Sequence, residues 1–117
     1  MNPLVYDGVK IYCSSTSWEH ILKNHGAIFI NQDRFEKAIT APSHVRVSKE
    51  NGDIRMHYYP TEQGYIKVII KYVTNGSRFG NVMSAYTVRR LDNKEEYPIC
   101  DYLAKEKARI NRENKCV

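Results

Sequence analysis

Cysteine is scarce in this chain of 117 residues: Cys13, Cys100 and Cys116 are all there is. An odd, widely spaced set argues against a disulfide scaffold and a Cys-rich zinc site, and it suits a reducing compartment. Long apolar runs are missing too. A stretch such as IKVII is far too short to cross a bilayer. The opening MNPLVYDGVK has no apolar run of the kind that marks a secretory signal, so none is expected. Also absent are a glycine-rich phosphate loop, an HExxH pair, clustered Asp and Glu for two-metal catalysis, and the nucleophile turn of a Ser-His-Asp hydrolase. The expectation is chemistry without metal or cofactor. There is no internal repeat and no low-complexity block.

What is there begins with a sufficient core. Hydrophobic residues make up 42% of the sequence, enough to fold one domain of this length. Lys and Arg number 18 against 13 acids, a formal net charge of +5. That balance suits an anionic partner, nucleic acid before an acidic protein or membrane. Nine tyrosines and one tryptophan add rings that can stack on unpaired bases among those cations.

Four stretches alternate with a period of two, the mark of strands with one buried face. In Ser43–Lys49, Val45 and Val47 alternate with His44, Arg46 and Ser48. In Ile54–Tyr59, Ile54, Met56 and Tyr58 alternate with Arg55, His57 and Tyr59. In Tyr65–Thr74, Ile66, Val68, Ile70 and Tyr72 alternate with Lys67, Ile69, Lys71 and Val73. In Val82–Val88, Met83, Ala85 and Thr87 alternate with Val82, Ser84, Tyr86 and Val88. One open face would then carry imidazole, guanidinium, ammonium and hydroxyl groups together. Asn51-Gly52-Asp53 marks a hairpin between the first two strands.

Before these strands, Gly8 closes a turn and Val9–Cys13 reads as a short strand. A helix follows from Ser14–Ser17. Thr16 and Glu19 have capping-box spacing, Trp18, Ile21, Leu22 and His25 form one stripe, and Gly26 stops it. A second helix runs from about Asp33 to Ile39 and ends before Pro42. The charged stretch from Tyr97 to Val117 reads as an exposed helix. The expected fold class is α+β: N-terminal helices packed on a roughly four-stranded antiparallel sheet, with a C-terminal helix. Residues 1–96 would form the catalytic domain and 97–117 its charged helix or tail.

RNA cleaves itself when a 2′-hydroxyl attacks the adjacent phosphate. A protein assists by moving two protons and offsetting charge on phosphorus, tasks suited to His, Lys and Arg. His25, closing the first helix on its apolar stripe, is the first candidate. His20 is the second, although on a regular helix the two cannot face one pocket. Arg46, Arg55, Lys67 and Lys71 are phosphate-binding candidates on the presumed open face, with His57 beside them. Ser84 and Tyr86 point the same way on the last strand and could orient a phosphate; Arg89 and Arg90 extend the basic edge.

The segments SWEHILKNH, AITAPSHVRV, YIKVIIKYV and GNVMSAYTVRR resemble the barnase–EndoU–colicin–RelE superfamily of ribonucleases and toxin domains, closest to its phage and polymorphic-toxin branches. The resemblance covers roughly residues 9 to 90. It implies a metal-independent RNA-cleaving fold of two helices on an antiparallel sheet, and toxin-like biology with an inhibitor or immunity protein as partner. It puts the superfamily's histidine on His25 or His20, its strand cation on Arg46, Arg55 or Lys71, and its late hydroxyl on Ser84 with Tyr86. The expected function is therefore an endoribonuclease acting on RNA, tRNA included. Its expected location is cytoplasmic, or the cytoplasm of a cell it is delivered to, with no membrane partner. The alternatives are a non-catalytic RNA-binding module and a protein-interaction domain whose basic face docks on an acidic partner.

Overall fold

The chain opens on a hairpin that alternation alone does not reveal. In the computed structural model, which describes residues 3–24, 30–73, 78–91 and 93–99, β1 (Leu4–Tyr6) and β2 (Val9–Tyr12) pair antiparallel, Tyr6 opposite Val9. The two-residue loop between them is Asp7-Gly8, both at positive φ (50° and 76°). That is the backbone a twisted hairpin needs, and an Asp-Gly pair adopts it at least cost.

Helix α1 (Ser15–Asn24) starts two residues earlier than the Thr16 cap would require. Ser14 is its cap: the Ser17 backbone N–H donates to Ser14 Oγ at 3.1 Å. Helix α2 (Gln32–Thr40) is capped by Asn31, whose Oδ1 accepts from the Arg34 N–H at 2.8 Å. Ile21 of α1 and Phe35, Ala38 and Ile39 of α2 are buried. Trp18 lies against Phe35, ring centres 4.7 Å apart. Both helices lie on one face of the sheet, over Val9, Ile11, Ile66, Val68, Ile70, Val82 and Ala85. Burial of each large side chain there contributes about 1.5–3 kcal/mol.

Strands β3 (His44–Ser48), β4 (Ile54–Thr61), β5 (Gly64–Val73) and β6 (Phe79–Val88) form the expected antiparallel meander, and β7 (Glu96–Pro98) follows. The expected fold class nevertheless needs correction. The sheet has seven strands in the order β1-β2-β6-β5-β4-β3-β7, and it is mixed because β2 runs parallel to β6. The described residues hold two short helices and are mostly strand. The stretch from Tyr97 does not begin as a helix: Tyr97 and Pro98 belong to β7, paired antiparallel with β3. Ile99, in helical conformation, is the last described residue of the stretch, and 100–117 lies outside the described residues.

Register decides which side chains share a face, since cross-strand partners point the same way. The β4–β5 turn is Glu62-Gln63, with Thr61 opposite Gly64. Gly64 sits at φ +146°, and a Cβ there would lie 2.2 Å from the Val88 carbonyl oxygen, so only glycine fits. This tight turn puts Arg55, His57 and Tyr59 opposite Ile70, Val68 and Ile66, on the helix-covered face. The polar half of β4 is thus turned inward, against the expectation of one open cationic face. Met83 is the extra residue of a bulge in β6, because Ile69 pairs with Ser84 while Ile70 pairs with Val82.

His57 shows how an imidazole is accommodated inside. It is fully buried, with Nδ1 3.0 Å from the Ile39 carbonyl oxygen and Nε2 3.2 Å from the Tyr72 hydroxyl. A carbonyl only accepts, so Nδ1 carries the proton and Tyr72 donates to Nε2. The Tyr6 ring packs edge-on at 4.6 Å. Burial lowers the His57 pKa from 6.5 to about 4, outweighing its backbone hydrogen bonds. The unfolded chain therefore takes up a proton near pH 6.5 that the folded chain refuses until about pH 4. Stability conferred by neutral His57 is present above 6.5 and is lost as pH falls between those values, about 3 kcal/mol in all. His57→Asn keeps a donor toward Ile39 but cannot titrate. Urea unfolding at pH 7 and pH 4 is expected to show wild type losing about 3 kcal/mol more than this variant. Equal losses would mean that His57 is not held neutral.

Candidate functional site

The sheet face opposite the helices carries His44, Arg46 and Ser48 of β3, Met56 and Tyr58 of β4, Tyr65, Lys67 and Lys71 of β5, Ser84 and Tyr86 of β6, and Glu96 of β7. At its centre is a buried polar cluster. Lys67 and Glu96 are each only 5% exposed. Lys67 Nζ donates to Glu96 Oε2 at 2.5 Å, and the Tyr58 hydroxyl donates to Glu96 Oε1 at 2.5 Å. Arg46 Nε lies 3.3 Å from the same Oε1, in ion-pair range though without hydrogen-bond alignment, and its Nη2 donates to the Glu96 carbonyl oxygen at 3.0 Å.

The cluster carries more positive than negative charge: one carboxylate against Arg46 and Lys67. The Lys67 ammonium sits between two rings, 5.7 Å from the centre of Tyr58 and 5.6 Å from that of Tyr86. Ring faces attract a cation, so the aromatic walls compensate part of its lost hydration. Burial, then the hydrogen bond and the charge of Glu96, push the Tyr58 phenol well above its usual range. Tyr58 therefore remains a donor and holds the carboxylate in place. Around this centre the rim is more open. Tyr65 stands edge-on to Tyr58 at 6.2 Å, and exposed His44 stands edge-on to Tyr65 at 6.0 Å. His44 Nδ1 is 2.9 Å from Ser43 Oγ.

The structure divides the residues anticipated from sequence. Arg46, Lys67, Lys71, Ser84 and Tyr86 share the open face. Arg55 and His57 do not: they lie on the helix side, Arg55 with its guanidinium 4.8 Å above the Tyr72 ring. His20 lies on the exposed surface of α1, on the helix side of the sheet as well. His25 falls outside the described residues. Arg89 and Arg90 are exposed just past β6. His44, Tyr58 and Glu96 belong to the site without having been singled out. Tyr58 falls on the same side of the alternation as Ile54 and Met56 and so looks like core, and nothing local in Glu95-Glu96-Tyr97 distinguishes the buried acid from the exposed one. His44 was legible, since it stands two positions before Arg46.

Among the described residues, no three His, Cys, Asp or Glu side chains gather closely enough to hold a metal ion. No described helix is long and apolar enough to cross a membrane. No family model matches the chain, and neither a curated protein nor a solved structure matches it.

Proposed function

We propose that the chain is an endoribonuclease that works on the open sheet face without a metal. One observation carries the reading: a single face brings two cations, Arg46 and Lys67, together with an exposed imidazole, His44, and a half-buried phenol, Tyr86. Among the described residues His44 is the one histidine on this face. In the proposed reaction the 2′-oxygen bonds to phosphorus as its proton passes to a base on the face. The bond from phosphorus to the 5′-oxygen breaks as that oxygen gains a proton. His44 and Tyr86 are the proton carriers, Arg46 offsets the charge on the phosphoryl oxygens, and buried Lys67 adds positive field from beneath the face. Glu96 and Tyr58 hold the cations at fixed positions and touch no substrate, which makes them positioning residues.

The resemblance to the barnase–EndoU–colicin–RelE superfamily supports the same reading through the motifs quoted above. It also suggests tRNA among the substrates, a cognate inhibitor over this face, and action in a cytoplasm. A second reading, RNA binding without cleavage, is favoured by the pairing of Lys67 with Glu96, which takes up part of its charge. Purified protein incubated with total RNA in EDTA separates them. Cleavage is expected to leave 2′,3′-cyclic phosphate and 5′-hydroxyl ends; intact RNA that is nonetheless retained in a salt-sensitive complex would favour the binding module.

A further inference from the structure

At the other end of the same face, β2 and β6 leave a groove of about 740 Å³ lined by Gly8, Lys10, Tyr12, Arg78, Phe79 and Asn81. Its floor is an aromatic pair: Tyr12 and Phe79 meet edge-on with ring centres 6.1 Å apart. Tyr12 is 41% exposed, so its ring is open to a ligand in the groove. Lys10, Arg78 and Asn81 are exposed around it. Among the described residues no carboxylate lines the groove; Asp7 precedes Gly8 in the chain but is not part of the wall.

Register joins this groove to the polar cluster. Lys10 and Tyr12 lie level with Phe79 and Asn81, and Asn81 is opposite Lys71, on the face that carries Ser84, Tyr86 and Lys67. From Asn81 to Tyr86 the distance along β6 is roughly 15 Å. Exposed Lys71 and half-buried Ser84 fill the interval. The track thus runs from an aromatic platform with cations and an amide, past a lysine and a hydroxyl, to the proposed cleavage centre.

We infer that this groove is a nucleotide-binding subsite that stacks one unpaired base of single-stranded RNA on Tyr12 and Phe79, while Lys10 and Arg78 hold the flanking phosphates. Asn81 supplies an amide that can both donate to and accept from a base edge. Every base has a face to stack, so the platform favours unpaired strands over duplex without demanding one sequence. The inference rests on RNA being the ligand of the open face, but it does not require cleavage.

The test uses a short 2′-O-methylated oligoribonucleotide, which lacks the attacking hydroxyl and reports binding alone. Fluorescence anisotropy at low salt is expected to show Tyr12→Ala weakening that strand by roughly fivefold to a hundredfold. Tyr12→Phe should bind as wild type does, because stacking needs the ring and not the hydroxyl. Lys10→Gln and Arg78→Gln should each weaken binding and flatten its salt dependence. An unchanged thermal melt of Tyr12→Ala establishes that the ring, not the fold, was lost. If wild type binds the strand and Tyr12→Ala binds it equally well, or if a duplex binds as tightly as the single strand, the subsite is overturned and the cleavage centre stands. If wild type does not bind the strand at low salt, both proposals fall.

Discussion

His44→Ala is expected to slow RNA cleavage by about a hundredfold or more while leaving the unfolding transition where it is. The two halves of that expectation have separate origins. Loss of a proton-transfer group removes a factor of this size because a proton must then move to or from bulk water during the reaction. The fold is spared because His44 is exposed and its ring makes one hydrogen bond, to the neighbouring Ser43 hydroxyl, and an edge contact with Tyr65. The loss should fall on kcat rather than KM, since an imidazole that moves a proton acts in the transition state. Cleavage at the wild-type rate by His44→Ala would remove this residue from the mechanism. His25→Ala, assayed alongside, would then show whether the imidazole of the resemblance carries the proton instead.

The second large effect concerns stability. Glu96→Ala is expected to cost about 3–5 kcal/mol, because it leaves buried Lys67 and half-buried Arg46 without their shared counter-ion. Lys67 loses its carboxylate partner at 2.5 Å and Arg46 loses the one at 3.3 Å. The Tyr58 hydroxyl loses its acceptor as well. Urea unfolding measures the loss directly. Lys67→Met combined with Glu96→Gln is expected to be more stable than Glu96→Ala, since the charge that had nowhere to go is removed with its partner. A Glu96→Ala midpoint equal to wild type would mean that the cluster is hydrated and loosely held. The same variant bears on catalysis, for a site whose cations can drift offers less to a transition state than one in which they are fixed.

Much of the local structure could be read from residue order. The meander, the Asn51-Gly52-Asp53 turn, the second helix and the Trp18 and Ile21 part of the first helix's stripe all follow from short-range rules that tertiary packing did not override. The edges of the sheet were less accessible. The first hairpin was signalled by Asp7-Gly8 but its strands are only three and four residues long. The last strand is Glu96–Pro98, too short for any periodicity and set in a charged stretch that resembles a solvated helix. The site suffered from a different difficulty. Alternation gives two faces per strand but not which faces of neighbouring strands coincide. That depends on turn length, and the two-residue turn before Gly64 inverted β4 relative to the arrangement its composition suggested. Alternation alone therefore puts Arg55 and His57 on the wrong side, and it makes Tyr58 look like core when it serves the polar cluster. Glu96 reaches Lys67 only through the pairing of β7 with β3, a contact distant in sequence.

The parallel seating of β2 beside β6 governs how the chain can be assembled. Strands β3 to β6 each pair with the next in line, so they can zip together as they leave the ribosome. The β1–β2 hairpin precedes them in the chain yet finds its neighbour only after Phe79–Val88 has been made. Long-range pairings of this kind are slow, because the intervening chain must be confined before any contact repays it. Until β6 is made, the β1–β2 hairpin is therefore a sheet edge without its neighbour, open to mispairing with other chains.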